Sequence, residues 1–375
     1  MRQALEIIGF VLAAAVVAAT LISAIQAVVL PRASQNRLPR FTTRAVRSFF
    51  HLRARRSGTY HERDGIMAML APIALVSMLL TWLLVIFVAY SVMFFCCGGH
   101  SLHVALELSG SSIVTLGTES DNRLGPALLS YSEAGIGLLL VALFISYFPS
   151  IYGAFVRRET GVTLLQVRAG NPPRPATMLI RYHRIEEGQY QLTALWQQWE
   201  GWFADIEESH TTFPVLAYFR SPQPERSWVT AAGALLDSAS FWMAAVEHPK
   251  DPDAQLCVRA GFLALRRIAD AFSLTYDPDP GADDPISVTR AEWDEVMDEI
   301  QGAGLPMVAD REQAWRDWRG WRVNYDTVLL LLARVTEAPM APWISDRSPI
   351  RASRPSGRTG SGWRPRRTRS PAPRR

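Results

Sequence analysis

Charge is absent from two long stretches of this 375-residue chain and nearly absent from a third. Residues 7–30 and 65–99 contain no Asp, Glu, Lys or Arg, and residues 124–156 contain only Glu133. A helix needs roughly 20 residues to cross about 30 Å of hydrocarbon, and each stretch is longer than that. Inside hydrocarbon every backbone N–H and C=O has to be paired within its own segment, so such stretches take the form of helices. The expected fold class is an all-α membrane protein with three transmembrane helices. The first stretch exceeds the apolar core of about 7–15 residues of a signal peptide, Glu6 spoils a basic start, and arginine-rich sequence follows it. Residues 1–30 are therefore read as a retained N-terminal transmembrane helix.

Orientation follows from the arginines. The loop 31–65 holds nine, among them Arg32, Arg37, Arg53 and Arg63, against only Glu62 and Asp64. This loop is expected in the cytoplasm, which puts the N-terminus outside and the C-terminal domain in the cytoplasm of a multi-pass protein of the plasma (inner) membrane. Within the loop, Arg40, Arg44, Arg47, His51 and Arg55 recur at three- and four-residue steps, while Phe41, Phe49 and Leu52 fall on another face. That pattern predicts a basic amphipathic helix whose arginines meet membrane lipids on the anionic inner leaflet.

Between the second and third apolar stretches, Ser101 stands where it caps a short helix, and the sequence from Ser109 to Ser120 reads Ser-Gly-Ser-Ser-Ile-Val-Thr-Leu-Gly-Thr-Glu-Ser. The run Thr115-Leu116-Gly117, flanked by an apolar outer segment and an apolar inner segment ending in Arg157-Arg158-Glu159, resembles the pore of the potassium-channel family, whose filter is Thr-x-Gly-Tyr-Gly. The resemblance covers roughly Ile66 to Glu159, or the pore domain 66–158. It implies a re-entrant pore helix and filter-like loop over 101–120 and an inner helix over 125–156. It implies also that Thr115, Leu116, Gly117 and Thr118 offer oxygens to a permeant monovalent cation. One chain supplies one loop, so closure around an ion implies a homotetramer. Where the family has Tyr-Gly-Asp, this chain has Thr118-Glu119-Ser120. The family's second glycine takes a conformation that costs a residue with a Cβ, so Glu119 departs from a potassium filter. Four copies would ring the outer mouth with carboxylates and favour cations generally; otherwise Glu119 is a solvated loop residue beside Asp121 and Arg123.

The inner stretch contains Gly135, Gly137 and Pro149, which are candidates for a gating hinge or, for the glycines, for close helix packing. Glu133 stands one turn into this helix, behind the filter. A buried charge there faces a partner or a cavity, and a hydrogen bond to Ser109, Ser111 or Ser112 is expected.

From 159 to 340 the composition is that of a soluble, all-helical cytoplasmic domain. Helical patterns cover Ala176 to Glu208, Trp228 to Glu247, Asp253 to Leu274, Thr289 to Gln301 and Asp310 to Val335, with capping-box forms at Thr289-x-x-Glu292 and Asp310-x-x-Gln313. Trp196, Trp199 and Phe203, and likewise Trp315, Trp318 and Trp321, recur at helical spacing and are read as core. The tail 341–375 is rich in Arg, Pro and Ser: from Asp346 onward it holds ten arginines and one acid, which leaves the rest of the chain at about −5 out of a total of +4. Such a composition cannot build a core and is expected to be disordered. Its charge suits the inner leaflet or an acidic partner, and nucleic acid only in the generic electrostatic sense.

No phosphate-binding glycine loop, nucleophile elbow or zinc-spaced Cys/His set is present. His183 and His210 have carboxylates nearby in sequence, at Glu186, Glu187, Glu207 and Glu208, without any sign that they converge. The expectations are no enzyme, no metal and no cofactor apart from a permeant monovalent cation. Two functions follow: an ion-channel-like protein passing potassium, or monovalent cations without selectivity, through an oligomeric pore; or a non-conducting membrane sensor or scaffold whose helical domain binds an unknown cytoplasmic partner or ligand.

Overall fold

The computed structural model describes residues 2–29, 37–98, 100–119, 121, 123–185 and 192–347. Arg32, Ser120, Glu186, Glu187 and the arginines beyond Arg347 lie outside the described residues, as does the expected disordered tail from residue 348 onward. Among the described residues the regular secondary structure is helical apart from an isolated β-bridge between Val246 and Met307.

The chargeless N-terminal stretch forms α1 (Arg2–Val29), which packs along α4. The basic loop forms α2 (Arg37–Ala54) and α3 (Tyr60–Ala68), the latter started by Thr59, whose hydroxyl accepts the amide of Glu62 at 3.3 Å. The second apolar stretch forms α4 (Leu70–Gly98). Then come α5 (Leu102–Ile113), with the Ser101 hydroxyl accepting from the Val104 amide, and α6 (Leu124–Ala169). Three helical runs, Gln3–Val28, Tyr60–Cys97 and Leu124–Ala169, are long and apolar enough to cross a membrane. Their shared core includes Trp82, Ile86, Phe94, Leu108, Leu140 and Ile151.

The third of these helices runs further than expected. Sequence reasoning ends the inner helix at 156 and begins a new domain at 159, whereas α6 is one helix of 46 residues that continues to Ala169. Arg158 and Glu159 look like a solvated flank, but both are buried, and Val162, Leu165 and Ala169 extend the buried stripe at helical steps. The boundary drawn at 158/159 thus falls inside a continuous helix.

The C-terminal helical domain follows with α7 (Pro175–Arg184), α8 (Leu192–Thr212), a 3₁₀ turn at Pro214–Tyr218, α9 (Trp228–Ala245), α10 (Pro252–Ala271), α11 (Arg290–Gly302), α12 (Arg311–Arg322) and α13 (Asp326–Thr336). The predicted helix over Asp310 to Val335 is divided into α12 and α13. The Asn324 side-chain amide donates to the carbonyls of Gly320 and Trp321 at 2.9 and 3.3 Å and so closes the end of α12. The pattern Ala176 to Glu208 likewise appears as α7 and α8. Thr289 and Glu292 form the reciprocal capping box at the start of α11. Nearly every residue of α9 is buried, which makes it the central helix of the domain. Trp196, Trp199, Phe203 and Trp318 are buried in the core around it. The domain does not end at 340, because Ala341, Trp343 and Ile344 are buried in the same core; residues 341–347 belong to it and not to a tail.

The two parts join along α6 and through the 3₁₀ turn. Leu216 is buried in the core of the three long helices, with Phe213, Val215 and Phe219 packed beside it.

Candidate functional site

The segment after α5 turns back on the helix that precedes it. The amides of Thr115, Leu116 and Gly117 donate to the carbonyls of Ser112 and Ser111 at 2.9, 2.9 and 3.5 Å. Ser111, buried, has its hydroxyl 3.2 Å from both the Glu119 amide and the Thr118 hydroxyl. The donors of the loop are thereby turned inward, onto the end of α5. The carbonyl oxygens of Thr115, Leu116, Gly117 and Thr118 accept no backbone hydrogen bond from another described residue. Residues 114–119 are exposed on this chain, the apolar Leu116 at 67%.

Two residues of this loop have left-handed backbone, Thr115 at φ 56° and Gly117 at φ 66°. Glycine occupies that region without steric cost, but a β-branched threonine there is an outlier. Such strain persists only where the surroundings hold it, and it clusters at functional sites. Here the holding contacts are the amides bonded to the end of α5.

Behind the loop, the Ser109 hydroxyl lies 2.6 Å from Oε1 of Glu133, which joins α5 to α6. The same hydroxyl is 3.0 Å from the Phe87 carbonyl of α4. Of the three serines expected near Glu133, it is Ser109 that meets it; Ser112 bonds its own helix at the Leu108 carbonyl. Oε2 of Glu133 is buried and has no partner among the described residues. At Gly137 a Cβ would stand 2.4 Å from the carbonyl oxygen of Ile113, whereas at Gly135 it would meet nothing within 4 Å. Gly137 is therefore a close-packing position against the end of α5. Helix α6 passes unbroken through Gly135, Gly137 and Pro149.

Beside the loop, Asp121 pairs with Arg123 at 2.5 Å and His100 at 3.0 Å. Hydrogen bonds from Arg123 hold the Asp121 carboxyl at about 2, below the usual carboxylate range. Glu119 takes no part in this cluster: its side chain makes no ion pair with a described residue.

A second polar cluster lies where the long helices meet the C-terminal helical domain. Arg158, fully buried, donates to Glu159 at 2.9 Å and to the carbonyls of Leu216 and Phe219 at 2.9 and 2.8 Å. His210 stands 3.4 Å from it. His210 Nδ1 lies 2.9 Å from the Ile206 carbonyl, which can only accept, so Nδ1 carries the proton and Nε2 is free to accept from Arg158. Burial and the Arg158 charge hold the imidazole well below its ordinary value. The carboxylates that neighbour His210 in sequence are not its partners here; it stands against the Arg158 guanidinium. Among the described residues no cluster of His, Cys, Asp and Glu is placed to hold a metal ion.

The arginines of α2 divide. Phe41, Phe49 and Leu52 are exposed on one face of the helix. Arg47 lies on the other face and donates to Tyr218 and to the Val335 carbonyl, each at 3.2 Å; Arg40 donates to Ser273 at 2.9 Å. Arg40 and Arg47 thus bond to the C-terminal helical domain, which packs beneath the polar side of α2. Arg44 is exposed, and Arg55 is exposed in the turn that follows the helix.

A third network escaped the sequence. Arg322, fully buried, donates to both oxygens of Asp237 at 2.8 and 2.7 Å, to Asp326 at 2.7 Å and to the Trp343 carbonyl at 2.6 Å. Tyr325 donates to Asp237 at 2.9 Å. Burial pushes the Asp237 carboxyl up, opposed by the Arg322 charge. Its sequence signal was the solitary Asp237 in the otherwise uncharged, apolar α9. No family model, curated protein or solved structure matches this chain.

Proposed function

We propose that this chain is an integral membrane protein whose copies assemble around the 115–119 loop and pass monovalent cations. The observation that carries the reading is the polarity of that loop: its amides bond inward while the carbonyls from Thr115 to Thr118 are left for another donor or a cation. Rings of such oxygens replace an ion's water. One chain supplies only one arc of the ring, and Leu116, apolar and exposed at the loop, favours cover by further copies, four in the family it resembles. Glu119, free of ion pairs with described residues, sits where a carboxylate ring attracts cations without selecting potassium.

A second reading is a non-conducting membrane sensor or scaffold whose helical domain binds a cytoplasmic partner. It is favoured by Glu119 in place of the family's second glycine and by the large domain joined to α6 through Arg158. Purified protein in liposomes, assayed for potassium, sodium and chloride flux, separates the two. Cation flux that Gly117→Ala abolishes while the protein stays in the membrane supports conduction. Absence of flux together with a stable monomer in mild detergent supports the second reading.

A further inference from the structure

At the junction of the long helices with the C-terminal helical domain lies a cavity of about 360 Å³. It is bounded by the end of α1, by α2, by the start of α4, by the 3₁₀ turn and by the end of α10. That volume is at the lower end of the range for small-molecule sites. Its lining is two-sided. Arg40, Arg44 and Arg47 stand on the α2 wall with the hydroxyl-bearing Thr43, while Leu75 and Met78 give the α4 wall a hydrocarbon surface.

The charge is unbalanced toward the cation. Arg47 already donates to Tyr218 and the Val335 carbonyl, and Arg40 to Ser273. Arg44 makes no ion pair or hydrogen bond with another described residue. The acid at the cavity is Asp270, exposed, which accepts from the Tyr276 hydroxyl at 2.9 Å. Arginine forks match phosphate oxygens in geometry and charge. The exposed Phe41, Phe49 and Leu52 on the opposite side of α2 suit the interfacial zone of a bilayer, where lipid headgroups lie.

We infer that this cavity binds the phosphate headgroup of an anionic phospholipid, with Arg44 and Arg40 on the phosphate and the glycerol end of the lipid against Leu75 and Met78. A phospholipid is favoured over a soluble phosphate because half of the wall is apolar and continuous with the core of the long helices. The inference rests on the membrane-embedded reading of those helices and not on conduction.

The test uses the full chain, delipidated in mild detergent, and follows its thermal melting as phosphatidylglycerol, phosphatidylcholine or inorganic phosphate is added. Phosphatidylglycerol should raise the midpoint saturably, and native mass spectrometry should show it retained as an adduct. Arg44→Gln, at an exposed position without described partners, should fold and weaken that binding about tenfold, the scale of one lost charge-assisted contact, with Arg44→Lys intermediate. An equal response to phosphatidylcholine, or binding unchanged in Arg44→Gln, would overturn the site. A response to inorganic phosphate equal to that of the lipid would overturn the lipid source. Resistance of the protein to alkaline extraction from membranes reports separately on whether the long helices are embedded.

Discussion

Ser109 and Glu133 meet at 2.6 Å between two helices, and the single proton of that hydroxyl has a second acceptor in the Phe87 carbonyl at 3.0 Å. One serine thereby ties α5 to both of its neighbours. Removing Ser109 leaves the buried Glu133 carboxyl unpaired, which costs roughly 1–3 kcal/mol. Removing Glu133 leaves Ser109 its Phe87 acceptor but opens a cavity between α5 and α6. Glu133→Ala should lower the thermal midpoint of the detergent-solubilised protein by several degrees, with Ser109→Ala close behind. Glu133→Gln, which keeps the shape and the hydrogen bond, should retain most of the stability. A Glu133→Ala protein that melts with the wild type would show that the pair does not hold α5 in place.

The two glycines of α6 should behave oppositely. A Cβ at Gly137 lies 2.4 Å from a backbone oxygen of α5, and backbone cannot step aside cheaply, so Gly137→Ala should cost about 1–3 kcal/mol through overpacking. At Gly135 the Cβ meets nothing, and Ala in a helix gains about 0.5–1 kcal/mol over Gly. Melting curves of the two variants check this: Gly137→Ala should fall and Gly135→Ala should hold or rise.

The long helices were legible because the bilayer enforces a simple rule on charge, and Ser101, Thr289 and Asp310 announced their helices because a capping oxygen has to stand at a fixed step from the amide it accepts. The end of α6 was not legible. Arg158 and Glu159 carry the signature of a membrane flank, and only tertiary contacts reveal that both are buried, with Arg158 bonded to the Leu216 and Phe219 carbonyls. The same holds for Arg47, which an amphipathic pattern assigns to a polar face without saying whether lipid headgroups or Tyr218 lies beyond it. In the loop, the sequence offered Thr115 and Gly117 as a pair, but the left-handed backbone of both follows from hydrogen bonds to Ser111 and Ser112 that no spacing encodes.

Arg322 should be the least replaceable side chain of the C-terminal helical domain. Its guanidinium serves Asp237, Asp326 and the Trp343 carbonyl with no solvent access. Breaking a buried pair by removing one partner costs about 3–5 kcal/mol, because the remaining carboxylates have nothing to balance them. Arg322→Ala should therefore expose the domain to limited proteolysis. Arg322→Lys should not restore it, since an ammonium cannot reproduce the planar fork. A paired Arg322→Met, Asp237→Leu replacement should recover part of the loss. Equal protease resistance of Arg322→Ala and wild type would refute this role.

His210 makes the junction sensitive to acid. Its imidazole is buried in neutral form, with Nδ1 donating to Ile206 and Arg158 on the other side, and its value in the folded protein lies well below the ordinary 6.5. In the unfolded chain the same group takes up a proton near 6.5. Between the two values the unfolded state binds more protons, so stability rises with pH there and is lost as pH falls below about 6.5. The limiting slope is about 1.4 kcal/mol per pH unit for one group. Acid should loosen the packing of Leu216 and Phe219 against α6, since a protonated His210 would face Arg158 charge to charge. His210→Gln, which can still donate to Ile206, should flatten the fall in melting midpoint between pH 7 and pH 5. A pH profile with the same slope in His210→Gln as in wild type would place the acid sensitivity elsewhere.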